Sequence, residues 1–266
     1  MATMHEVDYE ILGDDMQFVR VLLDPGEAAI AEAGGMMYLE QGIEMDTIFG
    51  DGSAEQKGFM GKLVGAGKRL LTGESLFMTV FHNEATERRV AAFAAPYPGK
   101  IQPLHLKELG GELIAQKDSF LAAAKGVSIG IAFNRRFGGG LFGGEGFIMQ
   151  RLTGDGWVFC HAGGTLEEKT LGPSDVLRVD TGCIVAMQPS VSYDIQYVGK
   201  LKSALFGGEG LFFATLRGPG RIWLQSLPFS RLASRIYAAA PQRGGGRREE
   251  GSILGGLGNL LDGDGK

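Results

Sequence analysis

The chain has 266 residues, 44% hydrophobic and 21% charged, with a net charge of −5; this is ordinary globular usage and excludes a disordered or fibrous chain. The acidic balance argues against a protein whose main task is to neutralise nucleic-acid phosphates, so nucleic acid is not an expected partner. Forty-four glycines, about one residue in six against an average near 7%, lack the every-third spacing of collagen and largely exclude a helix bundle, since each costs about 1 kcal/mol in a helix interior.

The N-terminus, Met1 to Asp8, is acidic where a signal peptide needs a basic stretch followed by an apolar one, so the expected place is the cytoplasm. No window approaches the roughly 20 apolar residues of a membrane-spanning helix, which leaves only peripheral membrane contact. Cys160 and Cys183 are the only cysteines and form no C-x-x-C pair, consistent with a reducing compartment and without a zinc signature.

From Ala33 on, glycine-bounded apolar runs predict short strands. Ala33-Gly34-Gly35-Met36-Met37-Tyr38 sets glycines ahead of an apolar run, and Lys125 to Gly130 and Thr181 to Ala186 read as its counterparts. Between about Ser53 and Leu71, Phe59, Met60, Leu63, Val64 and Leu70 interleave with Lys57, Lys62, Lys68 and Arg69, as in a basic amphipathic helix, although four glycines oppose that reading. Leu71-Thr72-Gly73-Glu74-Ser75-Leu76-Phe77 then opens a pattern that returns as Leu141-Phe142-Gly143-Gly144-Glu145-Gly146-Phe147 and as Leu205-Phe206-Gly207-Gly208-Glu209-Gly210-Leu211. The last two agree onward through Leu152/Leu216 and Gly154/Gly218, at an offset of 64 residues. The chain thus reads as a threefold internal duplication.

Each Gly-Glu turn leads into two apolar runs about a short turn, predicted as hairpins: Leu76–His82 with Arg88–Phe93, Phe147–Leu152 with Trp157–His161, and Phe212–Leu216 with Arg221–Leu224. From the glycine before the first run to the turn, the separations are 38, 18 and 26 residues, so the first copy carries an insertion. Ser226 as N-cap, Pro228, and Phe229, Leu232, Ala233, Ile236 and Tyr237 at helical spacing predict a helix over Leu227 to Ala239. The expected organisation is one duplicated β domain over residues 1–240. A flexible Gly/Arg-rich tail with an apolar patch follows over 241–266.

The doubled Leu-Phe-Gly-Gly-Glu-Gly motif, Gln116 to Ala123 and Ser226-Leu227-Pro228-Phe229-Ser230-Arg231-Leu232-Ala233 carry a resemblance over roughly residues 5–240. On these residues the chain closely resembles a widespread family of uncharacterised bacterial proteins, whose mitochondrial relatives are named for altered inheritance of mitochondria. The resemblance implies an all-β fold of duplicated β-sandwich repeats, like that of the tryptophan RNA-binding attenuator protein, and no activity. Tryptophan or RNA binding does not carry over, because no ligand-binding motif matches residue by residue.

Catalytic motifs fail on inspection. Gly67-Lys68 is followed by Arg69 where a phosphate loop needs Ser or Thr, and Gly144-Glu145-Gly146 lacks the last small residue of a dinucleotide fingerprint. His5, His82, His105 and His161 lack metal-helix spacing. Cys160 and His161, adjacent on a strand, point to opposite faces and read as a core cysteine with a surface histidine. Neither a catalytic residue, nor a metal site, nor a cofactor is expected.

What recurs is a basic, apolar bend. Lys68 and Arg69 precede Leu71 and Glu74; Arg135 and Arg136 precede Leu141, Phe142 and Glu145; Lys200 and Lys202 precede Leu205, Phe206 and Glu209. These are the candidate binding residues. The apolar pairs read as core with solvated flanks, as a self-association surface, or as shallow anchors whose cations meet anionic headgroups. The expectation is a non-catalytic homo-oligomeric scaffold or interaction protein, able to meet an anionic membrane surface. The alternative is a small-ligand or metal-binding module with a pocket between repeats.

Overall fold

The computed structural model describes residues 5–49, 77–135, 147–197 and 212–240. Contacts divide the chain into two compact units, Met1–Ser230 and Arg231–Lys266. The strands all lie in the first. They are β1 (Asp8–Leu12), β2 (Phe18–Leu23), β3 (Ala28–Ala31), β4 (Met36–Leu39), β5 (Ile43–Phe49), β6 (Phe77–Asn83) and β7 (Arg89–Ala94). Then come β8 (Gly99–His105), β9 (Glu112–Gln116), β10 (Phe120–Ala124), β11 (Ser128–Arg135), β12 (Phe147–Thr153) and β13 (Trp157–Gly163). Last are β14 (Leu166–Leu171), β15 (Val176–Asp180), β16 (Ile184–Met187), β17 (Ser192–Tyr197), β18 (Phe212–Arg217) and β19 (Gly220–Gln225), followed by helix α1 (Phe229–Ala239). The described residues are all-β with one short C-terminal helix.

The strands form four antiparallel sheets: I (β1-β2-β7-β4), II (β5-β6-β3-β10-β13-β8), III (β11-β12-β9-β16-β19-β14) and IV (β15-β18-β17). Adding six to every strand number of sheet II yields the order of sheet III. The first module, β2–β7, therefore places β2, β4 and β7 in sheet I and β3, β5 and β6 in sheet II. Modules β8–β13 and β14–β19 divide in the same way across sheets II and III, and across III and IV. A short 3-10 turn precedes β4, β10 and β16 alike, at Ala33–Gly35, Lys117–Ser119 and Thr181–Cys183. Each of these strands then carries a bulge, at Met36/Tyr38, Phe120/Ala122 and Ile184/Ala186.

Three cores hold the layers. One joins sheet I to II through Val19, Val21, Leu23, Phe93, Phe81 and Phe159. The next joins II to III through Ile30, Val80, Cys160, Leu113, Leu152 and Trp223, and the last joins III to IV through Met149, Ile222, Ala214 and Leu216. Sheets II and III thus bury both faces. This is why Phe120-Leu121-Ala122-Ala123-Ala124 and Ile184-Val185-Ala186-Met187 are apolar throughout, whereas β2 alternates half-buried and buried residues.

Three expectations are corrected. The paired runs after each Gly-Glu turn are strands, yet they are not hairpins: β6 lies in sheet II and β7 in sheet I, and β12/β13 and β18/β19 part likewise. The short turn between them carries the chain from one layer to the facing one. Within the modules the hairpins are instead β5–β6, β11–β12 and β17–β18, and β1 forms a further one with β2. Second, Lys125 to Gly130 enters β11; the true counterpart of β4 and β16 is β10, behind its own 3-10 turn. Third, α1 starts at Phe229, two residues later than expected, because Ser226 and Leu227 still pair with the chain beyond β13: their amides donate to the Thr165 and Gly163 carbonyls (3.0 Å each), and the Ser226 hydroxyl accepts from the Thr165 amide (2.9 Å). The amphipathic insertion at 53–71 and the tail 241–266 lie outside the described residues.

Asn83 shapes the first of these layer-crossing turns. Its buried side chain donates to the Leu23 and Glu87 carbonyls (2.8 and 2.9 Å) and accepts from the Ala85 amide (3.0 Å). Asn83→Ala leaves these three groups short of partners and is expected to lower the unfolding free energy by about 1–3 kcal/mol. A urea titration checks this; an unchanged midpoint would mean that water replaces the amide.

Candidate functional site

Of the expected binding residues, Lys68, Arg69, Leu71, Glu74, Arg136, Leu141, Phe142, Glu145, Lys200, Lys202, Leu205, Phe206 and Glu209 lie outside the described residues. Arg135 ends β11 opposite Phe147, and its side chain also lies outside them. The strands that lead into these segments are described. β5 and β6 pair as far as Phe49 opposite Phe77, β11 and β12 as far as Arg135 opposite Phe147, and β17 and β18 as far as Tyr197 opposite Phe212. The three basic, apolar segments therefore join the same two strands of each module.

The described residues hold a cavity of about 280 Å³ where the first module meets the second. The turn before β4 supplies Glu32, Gly34 and Gly35 to its wall, and the turn before β10 supplies Asp118 with Phe120 and Leu121. Pro96 and Tyr97, from the loop between β7 and β8, join His161 of β13 and Phe229. Tyr97 organises this wall: its ring stands edge-on to the His161 imidazole at 4.4 Å between centroids and lies 5.4 Å from Phe229.

His161 corrects the expectation of a surface residue, being 1% exposed. Strand β8 presses against it where Gly99 leaves room, since a methyl group there would sit 2.6 Å from Nε2. Neither ring nitrogen makes a well-formed hydrogen bond. Burial pulls the pKa down to about 4, against a weaker upward pull from the Tyr97 backbone, so the imidazole is neutral near pH 7. Burial also pushes the Tyr97 phenol up to about 12, with Asp118 adding in the same direction. Cys160 faces the opposite core, as expected, and its thiol is raised to about 12, which leaves it protonated and unreactive. Just beyond, Gln225 accepts from the Gly163 amide (2.7 Å) and donates to the Gly182 carbonyl (2.8 Å), tying the end of β13 to the third module.

The cavity offers apolar and aromatic walls, two carboxyl-bearing residues and a neutral buried imidazole. Among the described residues, no three His, Cys, Asp or Glu side chains converge to hold a metal ion. In sequence the wall comes from separate stretches. Gly34-Gly35, the segment Gln116 to Ala123, His161 and Phe229 each stand out in the sequence, but nothing in it marks them, or Tyr97, as neighbours.

The family described as mitochondrial biogenesis AIM24 matches residues 9–227. The uncharacterized protein M6_Spy0233 of Streptococcus pyogenes serotype M6 is 29% identical over 231 residues, which cover 85% of this chain and 88% of that protein. The crystal structure of protein SPYM3_0169 from Streptococcus pyogenes superposes with a TM-score of 0.68 at 23% identity, covering 88% of this chain and all of the other. At that identity the likeness concerns the fold.

Proposed function

The chain belongs to the mitochondrial biogenesis AIM24 family, and we propose that it is a non-catalytic interaction scaffold that presents three equivalent hairpin ends to an anionic membrane surface. The recurring strand order supports reading the chain as three copies of one β-sandwich module. The observation that carries the proposal is that the same hairpin is built three times, and each time the segment joining its strands sets cations beside Leu or Phe. Cations near an anionic surface gain about 1 kcal/mol each, and apolar tips add shallow insertion. Three such ends on one chain act together through effective concentration. Among the described residues no helix is long and apolar enough to cross a membrane, so the contact proposed is peripheral.

Flotation with neutral and anionic liposomes at low and high salt tests this. Binding to anionic vesicles that weakens with salt is the expected result, and absence of binding to either kind overturns the proposal. Replacing Leu141, Phe142, Leu205 and Phe206 with serine is expected to abolish flotation and leave the β-type circular dichroism intact. Global unfolding of that variant would assign these residues to a core.

A second reading, a small-ligand module, rests on the buried His161, whose nitrogens make no well-formed hydrogen bond, on the cavity wall. Native mass spectrometry of the purified protein separates the two: a bound small molecule supports the ligand module, and an empty chain supports the scaffold.

A further inference from the structure

Sheets II and III are each completed by a joint between modules. In sheet II it is β3 with β10, antiparallel, with Ala31 opposite Ala122, Ile30 opposite Ala123 and Ala29 opposite Ala124. In sheet III it is β9 with β16, with Ala115 opposite Ala186 and Ile114 opposite Met187. Sheets I and IV are the two halves left over. Among the described residues, sheet I ends on β4, which stands where β10 and β16 stand, and sheet IV ends on β15, which stands where β3 and β9 stand.

Burial follows the same division. At the joints β3, β10 and β16 are buried along their whole length. In β4, Met36, Met37 and Tyr38 are 39%, 51% and 37% exposed, although Leu121 and Val185, which hold the place of Met37, are 4% and 0% exposed. Val176 of β15 is 52% exposed. Strand β4 bears no charge and no proline, the devices that normally guard an open edge.

We propose that β15 of one copy of this chain pairs antiparallel with β4 of a second copy, completing a six-stranded sheet and repeating head to tail. A second copy is the fitting occupant because the strand missing from each edge is the one at the chain's other edge. The joints also set the register. Tyr38 follows the bulge as Ala122 and Ala186 do, and Val179 stands two residues before its 3-10 turn as Ala31 and Ala115 do. Val179 thus falls opposite Tyr38 of the next copy, and Arg178 opposite Leu39. A head-to-tail contact of this kind closes into a ring or extends as a filament. It involves none of the basic segments, so it stands whether or not the protein binds membranes.

The test uses the full chain without vesicles. Light scattering on a sizing column is expected to show an assembly of several copies. A single-chain mass at high micromolar concentration overturns the proposal. In a Cys183→Ser background, Tyr38→Cys and Val179→Cys chains, co-expressed and oxidised, are expected to cross-link to each other, and neither to itself. Cross-linking of Tyr38→Cys chains alone, or closure of a chain carrying both cysteines onto itself, overturns it. Met37→Lys, an exposed position that should not disturb folding, is expected to reduce the assembly to single chains with an unchanged circular dichroism spectrum. An assembly that survives this change overturns the proposal as well.

Discussion

Trp223→Ala is expected to lower the unfolding free energy by about 3–5 kcal/mol. Trp223 is among the largest fully buried side chains and sits in β19 at the core between sheets II and III, packed with residues of all three modules. Removing it leaves a cavity that the flanking sheets can close only by shifting, and those sheets are held by joints on both sides. Beyond its volume the indole has two partners, the Arg221 guanidinium 5.0 Å from its ring centroid, a contact that a phenyl ring keeps in part, and Glu168. Its Nε1 donates to Glu168 at 3.0 Å, but Glu168 is exposed and readily exchanges that bond for water. Trp223→Phe is therefore expected to lose much less. Chemical denaturation of both variants checks the ordering, and equal losses would mean that the hydrogen bond, rather than the packing, carries the effect.

Acid is expected to weaken the fold through His161, by about 3 kcal/mol across the interval between its two pKa values. The imidazole titrates near 4 in the folded chain and at 6.5 when unfolded. Between these values the unfolded chain binds more protons, so stability rises with pH, and it is lost as pH falls from about 6.5 through 4. His161→Phe removes this site. At pH 7 it is expected to be neutral or slightly stabilising, because a ring without hydrogen bonds replaces one that makes no well-formed bond and only a weak contact with the Tyr97 backbone. His5 and His82 are also lowered by burial, with Lys125 adding in the same direction, so the variant retains a shallower slope of the same sign. Urea midpoints of both proteins at pH 7 and pH 4.5 decide the matter. An equal loss in the two would show that the ring is solvated, and a variant weakened at pH 7 would show that the nitrogens have a partner such as a bound molecule.

Where chemistry is local, the sequence alone was decisive. Glycine clusters ended strands, apolar runs formed them, and the helical spacing read over Leu227 to Ala239 formed the helix from Phe229 on, each through the conformational preferences of a few neighbouring residues. Pairing was another matter. Phe147–Thr153 and Trp157–Gly163 are strands about a short turn, a pattern that serves equally for a hairpin and for a crossing between layers. The choice falls to the facing sheet: β13 is buried nearly throughout and needs neighbours β8 and β10 at its edges and a core on each face. The same holds for the cavity. Tyr97, Asp118 and His161 are far apart in the chain, and only the stacking of the first module on the second brings them to one wall. His161 shows the limit of local reading most plainly. Alternation along β13 sets it opposite Cys160, but a face turned away from one core is solvent only if no further layer covers it, and here Tyr97 does, because burying apolar strands on both faces requires sheets on both sides.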